Sequence, residues 1–464
     1  MKLITLKNTL FIILITSISV SCKKFEQRYA DIYHPVATAS NPVSDAAPLC
    51  GNIKGTMLSG KTYTLGCDVT IQAGDTLLIQ NNVHINVASN AAGILVNGTL
   101  LSIGTKDNPN YITVPTLIKT DVIGANPNRD PAFLGSWRGI VGGASCPLIV
   151  IKWTHIEFGG AAAGNLIGPA IGVAANKNTY DLYFQNRAGT LIVEDSWFYG
   201  SVDDPIRVLG GKLAIFRNTF EKCGYIGGEA INIKGGTVGD FAYNLCVGMA
   251  TNGPKSSNNG GTTIQTNMRF YNNTIINCGY RRAQTGRGGS INYEEGSAGK
   301  FYNNLIVNCR YGPRVVISPP ADTTNLQYGN NFNYGDSVSV TNQFYPVGFI
   351  TKPQLTDIPN PRTFLPANYQ LGATYDGASI VGKNNPMFIN GPVPLPAGAN
   401  LRDISFVGKY NFGLQSGSPC IGKGYTGFKA TGNVPINPVY GATELTQPGK
   451  DIGAFQSDGS GNHH

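Results

Sequence analysis

Charged residues recur at one position just upstream of a repeated motif. Aligning DPIR (204–207), INIK (231–234), NGPK (252–255), INYE (291–294) and GPR (312–314) puts Arg207, Lys234, Lys255, Glu294 and Arg314 in one column. On stacked strands, outward residues one rung apart lie within ~5 Å of each other. Cations that close repel. A column of four cations and one anion therefore either splays into water, with Glu294 bridging its neighbours, or meets an anionic ligand. The loop GYRRAQTGRGG adds Arg281, Arg282 and Arg287, and Arg310 follows. Between residues 200 and 320 there are 13 Lys and Arg against 7 Asp and Glu, which supplies most of the chain's net charge of +8. Arginine forks match carboxylates and sulfates. The expected contacts for an acidic polysaccharide are thus Arg207, Arg281, Arg282, Arg287, Arg310 and Arg314. A lysine whose pKa is lowered by neighbouring cations can also act as a base beside a uronate carboxylate, and Lys234 is the candidate, with Lys255 as a further catalytic candidate in a supporting role. Weaker signals are the pair Asp203-Asp204, for which the aligned repeats show no companion acid, and His84 and His155, which sit singly within strands as ordinary rung residues.

The element that must position these residues is itself a repeat. FRNTFEKCGY (216–225), FAYNLCVGMA (241–250), FYNNTIINCGY (270–280) and FYNNLIVNCRY (301–311) share an aromatic, an asparagine and an apolar alternation. Repetition at this period is the signature of a solenoid. Upstream, GILVNGTLLSIG shows strand alternation, with Ile94, Val96, Gly98, Leu100, Ser102 and Gly104 on one face. Asn218, Asn244, Asn273, Asn304 and Asn331 are expected to form an asparagine ladder at a sharp turn, where Asn tolerates left-handed φ. Phe216, Phe241, Phe270 and Phe301 are expected to pack between rungs, and Cys223, Cys278 and Cys309 to form a buried column rather than a metal site. Glycine is abundant (59) and charge is sparse (13 %), which suits turns and strands over helices.

The ends carry other information. Lys2 and Lys7 precede the apolar run Leu10 to Val20, followed by Ser21 and Cys22. This is the pattern of a secretory signal, too short for a stable span. The cysteine after small residues resembles a bacterial lipobox, which implies lipid attachment at Cys22 and a membrane anchor. The expected organisation is a signal over 1–21, a flexible tether over 22–48, the solenoid over 49–338, and irregular final rungs, a cap and a disordered tail over 339–464. Cys50 and Cys67 flank a short loop in an exported context that permits a disulfide. No phosphate-binding glycine loop and no nucleic-acid motif is present, so nucleic acid is not an expected partner.

Two resemblances extend this reading. GILVNGTLLSIGTKDNPNYITV, SWRGI and WTHIEFGG, with NPMFIN, NFGLQSGSPCIGKG and DIGAFQ near the other end, resemble exported right-handed parallel β-helix proteins of Bacteroidetes. The likeness covers about residues 50–456 and implies an all-β, single-stranded right-handed parallel β-helix with an irregular C-terminal cap, at the outer membrane or cell surface. EAINIK (229–234) is similar to the Glu-x-Ile-x-x-Lys run of chondroitinase-B-like and alginate lyases. That likeness implies Glu229 as a calcium ligand, Lys234 as Brønsted base and a cation near Lys255 in support. The chain departs from the family at Gly227, where a second acid is usual, and calcium wants six or more oxygens. Three functions stay open: binding of acidic polysaccharide on a basic lateral face, polysaccharide lyase chemistry, and a structural or adhesive surface role.

Overall fold

The computed structural model describes residues 41–120, 127–260, 262–282, 284, 287–342, 378, 381–383, 385–391 and 410–464. The signal segment, Cys22 and most of the tether lie outside the described residues.

Short alternating strands coil into a parallel β-helix with three faces. The first face is a ten-strand ladder running from Gly55–Met57 to Leu326–Gly329. The second runs from the first half of Thr62–Ile71 through Trp197–Ser201, Thr219–Glu221, Leu245–Val247, Thr274–Ile276 and Leu305–Val307 to Phe332–Tyr334. The third starts in the second half of Thr62–Ile71 and passes through Ile206–Val208, Ile231–Ile233, Pro254–Ser257 and Asn292–Glu294 to Arg314–Val315. Because Thr62–Ile71 bends through both, the last two faces join into one 19-strand sheet among the described residues. Every pairing in these ladders that touches the candidate site is parallel. Strand alternation fills the interior: Ile231 and Ile233 point in with Leu213, Ile215, Phe241, Phe270 and Phe301, while Asn232 between them points out.

The asparagine ladder is present. Asn218 N, Asn244 N, Asn273 N and Asn304 N each donate to the Oδ1 of the next ladder asparagine at 2.9, 3.0, 3.1 and 3.1 Å. Each amide nitrogen also donates to a strand carbonyl of the preceding rung, as Asn273 Nδ2 does to Phe241 O at 3.0 Å. The left-handed residue is not the ladder asparagine, however, but the one before it: Arg217, Tyr243, Asn272, Asn303 and Asn330 have φ of 59, 57, 50, 60 and 50°. The ladder side chains serve as hydrogen-bond inserts, and the preceding residue makes the turn.

Phe216 also departs from expectation. It pairs with Ala242, whereas Ile215 pairs with Phe241, so Phe216 faces outward. It is buried there because the C-terminal segment covers it. The cysteines Cys223, Cys278 and Cys309 are buried free thiols, as expected, and Cys50 and Cys67 form a disulfide.

Residues 410–464 have few strands but lie along the flank between the first two faces, not over an open end. Asn330 Nδ2 donates to Lys423 O at 2.9 Å, Tyr271 Oη to Thr446 O at 2.7 Å, and Lys152 Nζ to Pro438 O at 2.9 Å. The expected disordered tail is ordered too. Asn462 Nδ2 donates to Tyr243 O at 3.0 Å, and His464 stacks on Trp197 at 3.9 Å. It thereby completes an outward ring stack that begins at His84 and passes through Tyr111, His155 and Trp197.

Candidate functional site

The third face carries the charged column, with a register that differs from the sequence alignment. Arg207 pairs with Asn232, Asn232 with Lys255, Lys255 with Asn292, and Asn292 with Arg314. Lys234 and Glu294 are displaced two residues along their strands; Glu294 pairs with Ser257. A shift of two keeps the same outward face, which is why the loop-based alignment could not detect it. The shift relieves the expected repulsion. Asparagine amides separate the cations, so Arg207, Lys255 and Arg314 sit two rungs apart, ~10 Å rather than ~5 Å.

Lys255 and two carboxylates form the centre. Lys255 Nζ lies 2.8 Å from Glu294 Oε1 and 3.8 Å from Glu229 Oε1. Burial pulls its ammonium down, but Glu229 and Glu294 outweigh this and raise its pKa. An ammonium held charged in this way is a fixed cation, not a general base. Asn232 Nδ2 and Asn252 Nδ2 donate to the Glu229 carboxylate at 3.4 and 3.3 Å. Burial alone would raise Glu229, yet Lys255, an Asp204 hydrogen bond and Arg207 bring it to about 2.

The companion acids absent from the sequence alignment are here. Ile206 pairs with Ile231, so Asp204 is level with Glu229, whose backbone N–H donates to Asp204 Oδ1 at 2.9 Å. Asp203 Oδ1 lies 3.4 Å from where a Cβ on Gly227 would stand. The residue that departs from the lyase pattern thus lies beside Asp203. Burial, then the neighbouring carboxylates, raise the pKa of both aspartates. Variable loop length between rungs hid this convergence; only the strand register discloses it.

The arginines divide. Arg281 is buried and donates to Gly224 O at 2.7 Å and to Cys223 O and Gly248 O at 2.6 Å, so it braces backbone instead of meeting solvent. Arg310 lies over the Tyr311 ring at 5.1 Å and donates to Arg282 O. Arg207 pairs with Asp204 at 3.4 Å and stands over Tyr180 at 5.1 Å. Arg282, Arg287 and Arg314 line one cavity of about 170 Å³ with Asp203, Glu229, Asn232, Asn252, Lys255 and Asn292, and Arg282 also donates to Ile226 O at 3.2 Å and to Gln284 Oε1 at 3.1 Å. Ordinary ligand clefts are ~300–1,000 Å³, so this cavity suits one small polar group while the remainder of a ligand lies across the open face. Arg314 is 4 % exposed and its Nε has no partner among the described residues. Burial, reinforced by Arg287 and opposed by Glu294, lowers its pKa to about 10. Lys234 does not line the cavity; burial, then Arg207 and Lys255, lower its pKa.

A calcium ion does not fit. The Lys255 ammonium stands 3.8 Å from Glu229 Oε1, so a cation there would meet a cation, and Asn252 and Asn232 turn N–H donors rather than oxygens toward the carboxylate. Among the described residues no group of three or more His, Cys, Asp or Glu side chains is arranged to hold a metal. A larger open cavity of about 490 Å³ lies beside Phe133, Arg138, Asn178 and Val202, but its one charged side chain is tied to Asp68 at 2.6 Å.

Comparison with protein-family models, with curated proteins and with solved structures finds no match for this chain. Among the described residues no helix is long and apolar enough to cross a membrane.

Proposed function

We propose that the third face binds acidic polysaccharide, with one uronate carboxylate received by Arg314, Arg287 and Arg282. The observation that carries this is Arg314: a buried guanidinium with an unpartnered donor, opening on a cavity that two further arginines line. A guanidinium keeps five donors in a fixed fork, and leaving one unmade in a buried site is costly unless a ligand completes it. Amides of Asn232, Asn252 and Asn292 add polar groups suited to sugar hydroxyls. Export and anchoring through Cys22 belong to the same proposal, since a tethered chain can hold polymer at the cell surface.

Retention on immobilised polygalacturonate tests this. Wild-type retention should fall with rising salt, and Arg314→Gln should weaken binding at least tenfold with its fold unchanged by circular dichroism. Equal retention of the variant sinks the proposal and leaves a structural or adhesive role. Lyase chemistry is a second reading because the lowered pKa of Lys234 suits a base; its sign would be an unsaturated, ultraviolet-absorbing product that Lys234→Ala abolishes.

A further inference from the structure

We propose that the same cavity hydrolyses the glycosidic bond of the polymer it binds, with Asp203 as proton donor and Glu229 as the carboxylate facing the anomeric carbon. This rests on the binding reading above and adds a reaction to it.

The placement comes from the register. Asp204 and Glu229 are level on adjacent rungs, joined by the Glu229 N–H to Asp204 Oδ1 bond of 2.9 Å. Asp203, next to Asp204 in the chain, lines the cavity together with Gly227 and Glu229. Independent of the acids, buried polar atoms around them are unsatisfied. Asn252 is 2 % exposed, Asn292 1 % and Asn232 6 %. The Oδ1 atom of each has no partner among the described residues. Three buried acceptors lining a polar cavity point to a ligand rich in hydroxyl donors, because orphaned amide oxygens are otherwise rare. A sugar ring supplies such donors.

The two acids have different surroundings, and the difference assigns their roles. Glu229 is kept ionised by Lys255 and two amide donors. Asp203 faces burial and the Glu229 charge, both of which favour its protonated form. Neighbouring carboxyls do not both ionise readily. Asp203 gives its proton to the glycosidic oxygen, which leaves with the electron pair of the broken C1–O bond. A Glu229 oxygen forms a bond to C1 as that bond breaks. Water then displaces Glu229, its oxygen bonding to C1 and its proton returning to Asp203. The sum is one water consumed, one reducing end and one free hydroxyl formed, with both carboxyls restored. The new end should therefore keep its anomeric configuration.

The test uses the full chain with polygalacturonate, alginate and chondroitin sulfate, scoring binding and new reducing ends separately. A bound polymer should gain reducing ends without ultraviolet-absorbing product. Asp203→Asn should cleave at least 100-fold more slowly even when saturated with polymer, whereas Arg314→Gln should lose binding and cleavage together. If Asp203→Asn fails to fold, the wild-type pH profile replaces it: the rate must fall as pH rises through the Asp203 pKa. A bound polymer that stays intact overturns the proposal and leaves the binding reading standing. Unsaturated product, full activity of Asp203→Asn or an inverted anomer also overturns it. Failure to bind any of the three polymers removes the binding reading, and this proposal with it.

Discussion

Lys255 sits between two carboxylates, and removing it leaves those charges facing one another across a nearly dry gap. Its side chain is 11 % exposed, and those of Glu229 and Glu294 are 10 % and 8 %. Breaking one member of a buried ionic cluster costs about 3–5 kcal/mol, mostly from the charge left uncompensated. Lys255→Met should lower unfolding stability at pH 7 by about 3 kcal/mol in urea titrations. The pH dependence follows from the shifts. Glu229 has a folded pKa of about 2, below its ordinary 4.5, so its contribution is complete above about 4.5 and fades as pH falls toward 2. The raised Lys255 pKa places the other edge on the alkaline side: its contribution is complete up to 10.5 and fades above it. The difference between wild type and variant should therefore shrink at pH 3; an equal difference at pH 3 and pH 7 refutes the ionic account. Lys255, Glu229 and Arg314 were legible in the sequence because each belongs to a spaced motif. Asp203 showed only as half of an acidic pair without a companion, and Asn232 and Asn292 did not show as site members. Their partners lie across loops of unequal length, and only hydrogen-bond register aligns them.

At the scale of the element, the ladder asparagines hold the turn between the first and second faces. Asn273 accepts from Asn244 N at 3.0 Å and from Asn244 Nδ2 at 3.2 Å. It donates to Phe241 O at 3.0 Å and to Asn304 Oδ1 at 2.8 Å. Alanine there leaves several buried groups unpaired, each costing about 1–3 kcal/mol before relaxation. Among the described residues Asn331 carries only the Asn304 bonds and its own bond to Phe301 O at 3.1 Å. Asn273→Ala should thus destabilise by about 3 kcal/mol, and Asn331→Ala by less, measured by thermal unfolding. Equal losses would mean that the amide stack adds nothing beyond a single turn. The ladder was readable because one residue type recurs at one position. Its geometry was not, because the left-handed position is filled by Arg217 and Tyr243 as well as by asparagines, and so shows no compositional mark. Phe216 misled for a related reason: one residue of drift between motif and strand turns a side chain from the interior to the flank.

Over the whole molecule, the C-terminal segment changes what kind of solenoid this is. A bare repeat array couples only neighbouring rungs, and its stability is close to a sum of local terms. Here residues 410–464 link rungs far apart. Thr443 N donates to Glu194 at 3.1 Å, Thr431 N to Asp240 at 2.7 Å, and Tyr425 N to Asn303 at 2.7 Å. Arg217 is fixed between Asp195 at 2.8 Å and Thr446 at 2.8 Å. The segment also covers outward aromatics, packing Phe428, Ala430 and Val434 on Tyr243, Tyr271 and Tyr302. The sequence showed that the repeat fades after about 338, but not that the remaining chain returns along the flank, since its contacts are scattered residues on rungs between Lys152 and Asn330 with no period of their own. Ending the chain at Asn342 should therefore do two things. It should expose this aromatic strip, raising binding of a hydrophobic dye, because contiguous apolar patches on a monomer are otherwise limited to a few hundred Å². It should also broaden thermal unfolding into successive steps, because nearest-neighbour coupling alone then joins the rungs at Lys152 to those at Asn330. A truncated chain that unfolds in one sharp transition at the wild-type temperature would show that the rungs cohere without the strap.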